Sequence, residues 1–197
     1  MKQKLLVSLL CVCAISAGSA TPDVAPRRIP DTTVYDQNGR KLGFYSDLVK
    51  GKTVAINFIF TTCTTVCSPL TAKFREVQQA LGDRVGGDIG LISISVDPTT
   101  DVPQRLASYA AEFHAGPGWS FVTGAKSDID ELLRTLGVLA GDKTSHTPMV
   151  LVGNDTAHFW TYTYGLASTT TLVSVVREAA AKRDQAVGTP STAAARD

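Results

Sequence analysis

Residues 54–70, which read VAINFIFTTCTTVCSPL, contain the pattern that decides the fold. The first seven form a continuous apolar run, rich in β-branched and aromatic residues and without the alternation of a half-exposed strand. Such a run is typical of a strand covered on both faces, as in a mostly parallel sheet. Ser68 is a good N-cap and Pro69 a good first helical residue, so we predict a helix over residues 69–81. Its apolar stripe consists of Leu70, Phe74, Val77 and Leu81.

Strands and helices alternate along the rest of the chain. Apolar runs predict further strands at residues 90–96, 119–122, 148–152 and 159–164, and helical periodicity predicts helices at residues 102–113, 128–136 and 170–182. Ser127 is the expected N-cap of the second of these helices. The turn signal DQNGR at residues 36–40 predicts a small N-terminal β-hairpin. The pattern indicates an α/β fold with a central sheet and helices on both faces.

The domain organisation follows from composition. Residues 1–20 have a basic start, an apolar run and a small-residue end, which predicts a secretory signal peptide cut near residue 20. The alternative is a short inner-membrane anchor over residues 5–20, and in both cases we expect export to the periplasm. Residues 21–30 indicate an exposed lead-in, residues 31–183 a single domain, and residues 184–197 a disordered tail.

Composition also excludes some classes of protein. Hydrophobic residues at 44% and charged residues at 19% supply enough apolar surface for a full core, which excludes global disorder. The chain has 19 Lys and Arg against 18 Asp and Glu, for a formal net charge of +1, and it has no basic run. Binding to nucleic acid is therefore not expected.

Two of the four cysteines lie where chemistry is expected. Removal of the signal would take away Cys11 and Cys13 and leave Cys63 and Cys67 in an oxidising compartment. This pair lies between a buried strand and a helix, where reactive groups of α/β sheets collect. A purely structural disulfide would close too small a loop to stabilise the fold much. The pair can instead oxidise reversibly, hold Cu(I) as two soft thiolates, or supply half of a zinc site.

Three histidines are available as a further ligand. His114 follows a helix and His158 follows a turn, so both are interpreted as structural. His146 opens the segment SHTPMVLV, immediately before a predicted strand. If that strand runs parallel to its neighbours, His146 lies at the edge opposite the cysteines, whereas an antiparallel strand would bring it to their edge. The residues alone leave both arrangements open.

These motifs together resemble the Sco/SenC family, thioredoxin-like proteins that help deliver copper to cytochrome c oxidase. The resemblance rests on INFIFTTCTTVCSPL, SISVDPTTDVP, WSFVTG and a late histidine that opens a strand, and it covers about residues 28–180. It implies a thioredoxin-like domain that binds copper, as Cu(I) or Cu(II), through Cys63, Cys67 and His146. It also implies that Asp97 lies near the metal, whereas the residues themselves favour a turn former before Pro98.

The resemblance implies a copper-binding chaperone that delivers copper to the copper-site subunit of cytochrome c oxidase. We also expect a periplasmic copper donor, a thiol reductant and, if the first residues form an anchor, a membrane tether. The alternative is an enzyme, a thiol–disulfide oxidoreductase in which Cys63 and Cys67 form a redox disulfide pair that reduces the cysteines of a copper-site protein. A peroxidase of the peroxiredoxin type is disfavoured, because the pattern P-x-x-x-T-x-x-C is absent.

Two residues depart from the family pattern. Ser145 stands where family members usually carry Asp before the histidine. Thr147-Pro148 follows the histidine and resembles the cis-proline loop of thioredoxin-like reductases. The second departure favours a thiol–disulfide role more than an ordinary family member would.

Overall fold

A mixed β-sheet organises the part of the chain that the computed structural model describes, residues 28–138 and 148–188. Within these residues the sheet has seven strands, namely β1 Thr33–Asp36, β2 Lys41–Gly43, β3 Thr53–Ile59, β4 Ile89–Ser95, β5 Trp119–Thr123, β6 Met149–Asn154 and β7 Phe159–Tyr164. Their spatial order is β2-β1-β5-β4-β3-β6-β7. The predicted N-terminal hairpin is therefore present as β1 and β2, and it joins the sheet beside β5.

The direction of β6 decides which segments meet at each edge of the sheet. Strands β3, β4 and β5 run parallel, whereas β6 pairs antiparallel with β3, with Val150 opposite Asn57. The start of β6 therefore lies at the edge where β3 ends and the cysteine loop begins. Of the two arrangements that the sequence left open, the structure has the antiparallel one, and it brings Pro148 to the cysteine edge.

Helices cover both faces of the sheet, as predicted. In the described residues, α1 Cys67–Leu81, α2 Pro103–Glu112 and α4 Thr169–Gly188 pack on one face. Helix α3 Lys126–Thr135 and a π-helical turn, Phe44–Val49, pack on the other face. Both cysteines belong to the core on the first face, together with Phe74 and Trp119.

The stretch that predicted the fold forms β3 and α1. Every residue of β3 is buried, as the continuous apolar run predicted. The predicted stripe of α1 is also buried, and it consists of Leu70, Phe74, Val77 and Leu81. The prediction that Ser68 is the N-cap is wrong, because the helix begins at Cys67 and Ser68 lies inside its first turn. The N–H of Cys67 donates to the sulfur of Cys63, 3.4 Å away, so a thiol takes the place of the usual cap oxygen.

Helix α3 shows a similar correction. Ser127 is not its N-cap, because the helix begins at Lys126, after Ala125 in extended geometry. The Ser127 hydroxyl lies 3.0 Å from the Asp128 carboxylate instead of reaching the backbone. A polar residue near a predicted helix start is thus a weak guide to the cap itself.

The ends of the domain also differ from the prediction. Helix α4 continues to Gly188 and not only to residue 182, since residues 183–187 include good helix formers such as Arg, Gln and Ala. The first residues of the predicted disordered tail are therefore helical. Ile29, in the predicted exposed lead-in, is buried. The predicted signal segment, with Cys11 and Cys13, lies outside the described residues, and within those residues no helix is long and apolar enough to cross a membrane.

Candidate metal and redox site

The cysteine loop leaves the sheet at the carboxyl end of β3. Residues 60–66 connect β3 to α1, and the N–H of Cys63 donates to the carbonyl of Phe60 at 3.1 Å, which closes a tight turn. Cys67 is the first residue of α1. The two cysteines are therefore held at a helix N-terminus, at the edge of the sheet predicted from the sequence.

Cys63 and Cys67 are free thiols that lie side by side at the start of α1. The Cys63 sulfur accepts the Cys67 N–H at 3.4 Å and lies 3.7 Å from the Thr65 hydroxyl. The Cys63 residue is 8% exposed and the Cys67 residue 0%. Solvent and solutes therefore reach Cys63 first.

The two thiols have opposite acidities. Burial disfavours the thiolate of Cys63, but hydrogen bonds from the Cys67 thiol and from the N–H groups of Thr65 and Cys67 outweigh burial and lower its pKa from 9.0 to about 7. Burial raises the pKa of Cys67 to about 12, and its hydrogen bond to Cys63 further stabilises its neutral form. Near neutral pH, Cys63 is thus about half ionised while Cys67 remains a thiol.

A buried carboxylate supports the loop from the side of α2. Asp101 is 0% exposed and accepts hydrogen bonds from the Thr61 N–H at 3.1 Å, the Thr61 hydroxyl at 2.6 Å and the Ser95 hydroxyl at 2.7 Å. It joins the end of β3, the end of β4 and the start of α2. This role of Asp101 was not predicted from the sequence, although the second acid of DPTTD was a signal that could have identified it.

Tyr109 and Thr71 lie beneath the first turn of α1. The Thr71 hydroxyl donates to the Cys67 carbonyl at 2.8 Å and lies 2.9 Å from the Tyr109 hydroxyl. Burial raises the pKa of Tyr109 to about 12, so the phenol is neutral near pH 7. No sequence signal marks this pair, because both residues occupy ordinary positions of amphipathic helices.

Asp97 forms the turn that the residues themselves favoured. Its carbonyl accepts the N–H groups of Thr100 and Asp101 at 3.0 and 2.9 Å, and its carboxylate accepts the Thr99 hydroxyl at 2.9 Å. Its N–H donates to the Ser95 hydroxyl at 3.0 Å. Asp97 thus shapes the loop that carries Asp101.

Two of the three histidines, His114 and His158, belong to the described residues. His114 and His158 end turns with positive φ values of 53° and 49°. His114 follows the end of α2 and His158 follows the end of β6, both at the sheet edge opposite the cysteines, so neither reaches them. His146 lies outside the described residues. Among the described residues, which exclude His146, no group of three or more His, Cys, Asp and Glu side chains could hold a metal ion.

Pro148, two residues after His146, lies at the start of β6 and contacts Gly165, which also lies close to Leu70 of α1. Its carbonyl accepts the Gly165 N–H at 2.7 Å. A side chain at Gly165 would meet the Leu70 side chain at 2.4 Å and the Pro148 carbonyl at 3.0 Å. The close packing at Gly165 therefore joins the start of β6 to the first turn of α1.

Comparisons with known proteins agree with this architecture. The SCO1/SenC family profile matches residues 25–181. The SCO1 protein homolog of Bacillus subtilis (strain 168) is 33% identical over 130 residues, which are 64% of this chain and 64% of the relative. The match thus spans less than two thirds of that relative's length.

Solved structures show the same fold. BsSco, described as a member of the Sco family of cytochrome c oxidase assembly proteins with a disulfide switch, has a TM-score of 0.65 and 28% identity over 78% of this chain and 93% of its own. ScoI of Bradyrhizobium japonicum, solved with copper bound, has a TM-score of 0.63 and 23% identity over 77% of this chain and 99% of its own. The fold is thioredoxin-like, as expected, and on the extent of the family match the chain belongs to the SCO1/SenC family.

Proposed function

We propose that this chain is an exported copper-binding assembly factor that delivers copper to the copper-site subunit of cytochrome c oxidase. Cys63, Cys67 and His146 hold the copper, as Cu(I) or Cu(II). The observation that carries the proposal is the pair of free thiols at one helix start, joined by the Cys67 N–H bond to the Cys63 sulfur. Membership of the SCO1/SenC family supports the same role.

The thiols suit Cu(I) because thiolate sulfur is a soft ligand. Cys63 is partly ionised near neutral pH, since its pKa is about 7. Cys67 must lose its proton when copper binds, because only the thiolate is a strong metal ligand. Copper binding thus releases protons, and the affinity for Cu(I) increases with pH.

Two features support His146 as the third ligand. Strand β6 starts at the cysteine edge, and Pro148 packs through Gly165 against the first turn of α1. Two peptide units span at most about 7 Å between Cα atoms, so a residue two positions before Pro148 lies within reach of the same edge. A Cys₂His set matches the preference of copper for sulfur and imidazole ligands.

Redox partners follow from the chemistry of the thiols. A Cys63–Cys67 disulfide has no thiolate to offer to copper, and it regains two thiols only by taking up two electrons and two protons. The protein therefore needs a periplasmic thiol reductant as well as a copper donor.

A second candidate function is a thiol–disulfide oxidoreductase, and the asymmetry of the two thiols favours it. The Cys63 thiolate would attack a partner disulfide to form a mixed disulfide and release one partner thiolate. Cys67 would then attack the Cys63 sulfur, which releases the second partner thiolate and leaves a Cys63–Cys67 disulfide. The more exposed, more acidic Cys63 fits the first step and the buried Cys67 fits the second.

Copper titration of the full chain tests the proposal. We expect the reduced protein to bind one Cu(I) in competition with a chromophoric chelator. Cys63→Ser and Cys67→Ser should abolish tight binding, and His146→Ala should remove the imidazole contribution to the Cu(II) spectrum. His158→Ala is a matched control, because His158 lies at the opposite edge of the sheet.

Two results would contradict the copper proposal. One is near wild-type Cu(I) affinity in Cys63→Ser. The other is a Cu(II) spectrum that is the same in wild type and His146→Ala while Pro148→Ala slows thiol–disulfide exchange, which would favour the oxidoreductase. The proposed export is tested separately: the protein is recovered from the periplasm, and the mass of its N-terminal peptide shows whether the signal has been cut.

A further inference from the structure

We infer that Asp101 is the positioning residue that holds Cys63 in register with Cys67, and so sets both the copper affinity and the stability of the disulfide. The part on copper rests on the proposed function, whereas the part on the disulfide does not. Asp101 does not touch the thiols in any hydrogen bond and acts through Thr61, which lies two residues before Cys63.

Burial fixes the orientation of the Asp101 carboxylate. Asp101 is 0% exposed, and a buried carboxylate is costly unless its oxygens accept hydrogen bonds. One oxygen accepts the Thr61 hydroxyl at 2.6 Å, and the other accepts the Thr61 N–H at 3.1 Å and the Ser95 hydroxyl at 2.7 Å. Rotation of the carboxylate away from Thr61 would leave these groups without partners, so the arrangement is fixed.

Thr61 lies at the exit of β3. The N–H of Thr61 has its partner in Asp101 and not in a neighbouring strand, so the chain leaves the sheet at a point that Asp101 determines. The following turn is closed by the bond from the Cys63 N–H to the Phe60 carbonyl. Without Asp101, the loop between β3 and α1 loses the side-chain anchor at Thr61, two residues before Cys63.

Both reactions of the two thiols, disulfide formation and Cu(I) binding, depend on this anchor. Formation of the disulfide and binding of Cu(I) both require the Cys63 sulfur to stay close to Cys67, where it now accepts the Cys67 N–H. Loss of the Thr61 anchor lowers the effective concentration of one sulfur at the other. Both the disulfide and the copper complex should then weaken together.

The test compares Asp101→Ala with Asp36→Ala in the full chain. Asp36 serves as the control because, like Asp101, it is a buried carboxylate that accepts backbone N–H groups, in its case those of Asn38 and Arg40 beside an ion pair with Arg40. It lies three strands from β3, or about 14 Å at the usual strand spacing. Both variants should lose thermal stability. A change in the thiol or copper equilibria that occurs only in Asp101→Ala therefore reports positioning of Cys63 and not a general loss of stability.

Two equilibria are measured beside the melting temperature. In the first, the protein dithiol and glutathione disulfide react to the Cys63–Cys67 disulfide and two glutathione thiols, without metal. We expect Asp101→Ala to lower this equilibrium constant about tenfold, which raises the reduction potential by about 30 mV. In the second, its Cu(I) affinity should fall about tenfold, the lower end of the effect of residues that orient metal ligands. Asp36→Ala should leave both constants within twofold of wild type.

Further variants keep the inference testable if Asp101→Ala does not fold. Thr61→Val removes one anchor bond and should shift both constants in the same direction by a smaller factor. Asp101→Asn keeps an oxygen for Thr61 and should restore most of both values. Unchanged constants in Asp101→Ala or Thr61→Val would overturn the inference, as would equal losses in Asp36→Ala. If the wild type binds no Cu(I), the proposed function fails, while the glutathione equilibrium still decides the role of Asp101.

Discussion

The acidity of Cys63 gives the sharpest test of the site. Burial alone would raise the pKa of Cys63, but four hydrogen bonds, from the Cys67 thiol, the N–H groups of Thr65 and Cys67 and the Thr65 hydroxyl, lower it to about 7. Alkylation by iodoacetamide follows the thiolate, so its rate should rise tenfold per pH unit below about 7 and level off above it. Cys67→Ala removes the thiol donor and should move the midpoint up toward 9, the ordinary value.

The acidities of the two thiols set their expected rates of alkylation. At pH 7 about half of Cys63 is thiolate, against about 1% of a thiol with a pKa of 9.0, a ratio of about fifty. A thiolate whose pKa is two units lower is intrinsically about six- to tenfold less nucleophilic. The net advantage is about five- to eightfold, and it is reduced further because Cys63 is only 8% exposed. Cys67, with a pKa of about 12 and no exposure, should stay unmodified.

Peptide mapping by mass spectrometry measures the two cysteines separately over pH 5–9. The reduced wild type is alkylated under anaerobic conditions, and Cys67→Ser serves as the control that keeps an O–H donor near Cys63. A midpoint of Cys63 near pH 9 in the wild type would refute the reasoning. Labelling of Cys67 before Cys63 would do so as well.

Three further predictions follow from the same contacts. Phe74→Ala should lower the free energy of unfolding by about 3–5 kcal/mol, because Phe74 is buried against Trp119; urea titration measures this, and a loss below about 1 kcal/mol would contradict it. Tyr109→Phe should cost about 1 kcal/mol in the same assay through loss of the hydroxyl contact with Thr71, and a neutral result would show that the contact does not stabilise the fold. In His146→Ala, the logarithm of the Cu(I) binding constant should rise by about two per pH unit below pH 7. Above pH 7 it should rise by about one per pH unit, because Cys63 has already lost its proton there. A constant slope would argue against the lowered pKa of Cys63.

Local sequence predicted the central strand, the first helix and the cysteine pair, because each depends on residues close together in the chain. VAINFIF is apolar at both faces and is buried at both, and the stripe of α1 follows helical spacing. The failure at Ser68 has a local cause as well. Propensity favours a hydroxyl at the cap, but the sulfur of Cys63, four residues before Cys67, accepts the bond instead.

Features that depend on distant segments were not predictable. An apolar run such as the one in β6 can pair in either direction, so the side on which Pro148 lies became clear only from its register with β3. The motif DPTTD contains two acids, both buried, and nothing in it says which one anchors the cysteine loop. Asp101 does so because Thr61 and Ser95, from two other segments, both offer hydroxyl groups to it.

The disulfide joins residues that are close in sequence, whereas a copper site with three ligands also needs contacts between distant segments. The contact between Cys63 and Cys67 lies within five consecutive residues at a helix start, so the disulfide can form within this turn, and the Thr61 anchor sets how stable it is. The anchoring of Thr61 by Asp101 and the packing of Pro148 through Gly165 onto Leu70 need the whole sheet. A copper site with a third ligand from the segment before β6 therefore depends on the folded domain in a way that the thiol pair does not. Since bound copper stabilises only the fold that presents all of its ligands, copper should raise the stability of this domain, whereas the disulfide mainly restrains the loop that contains it.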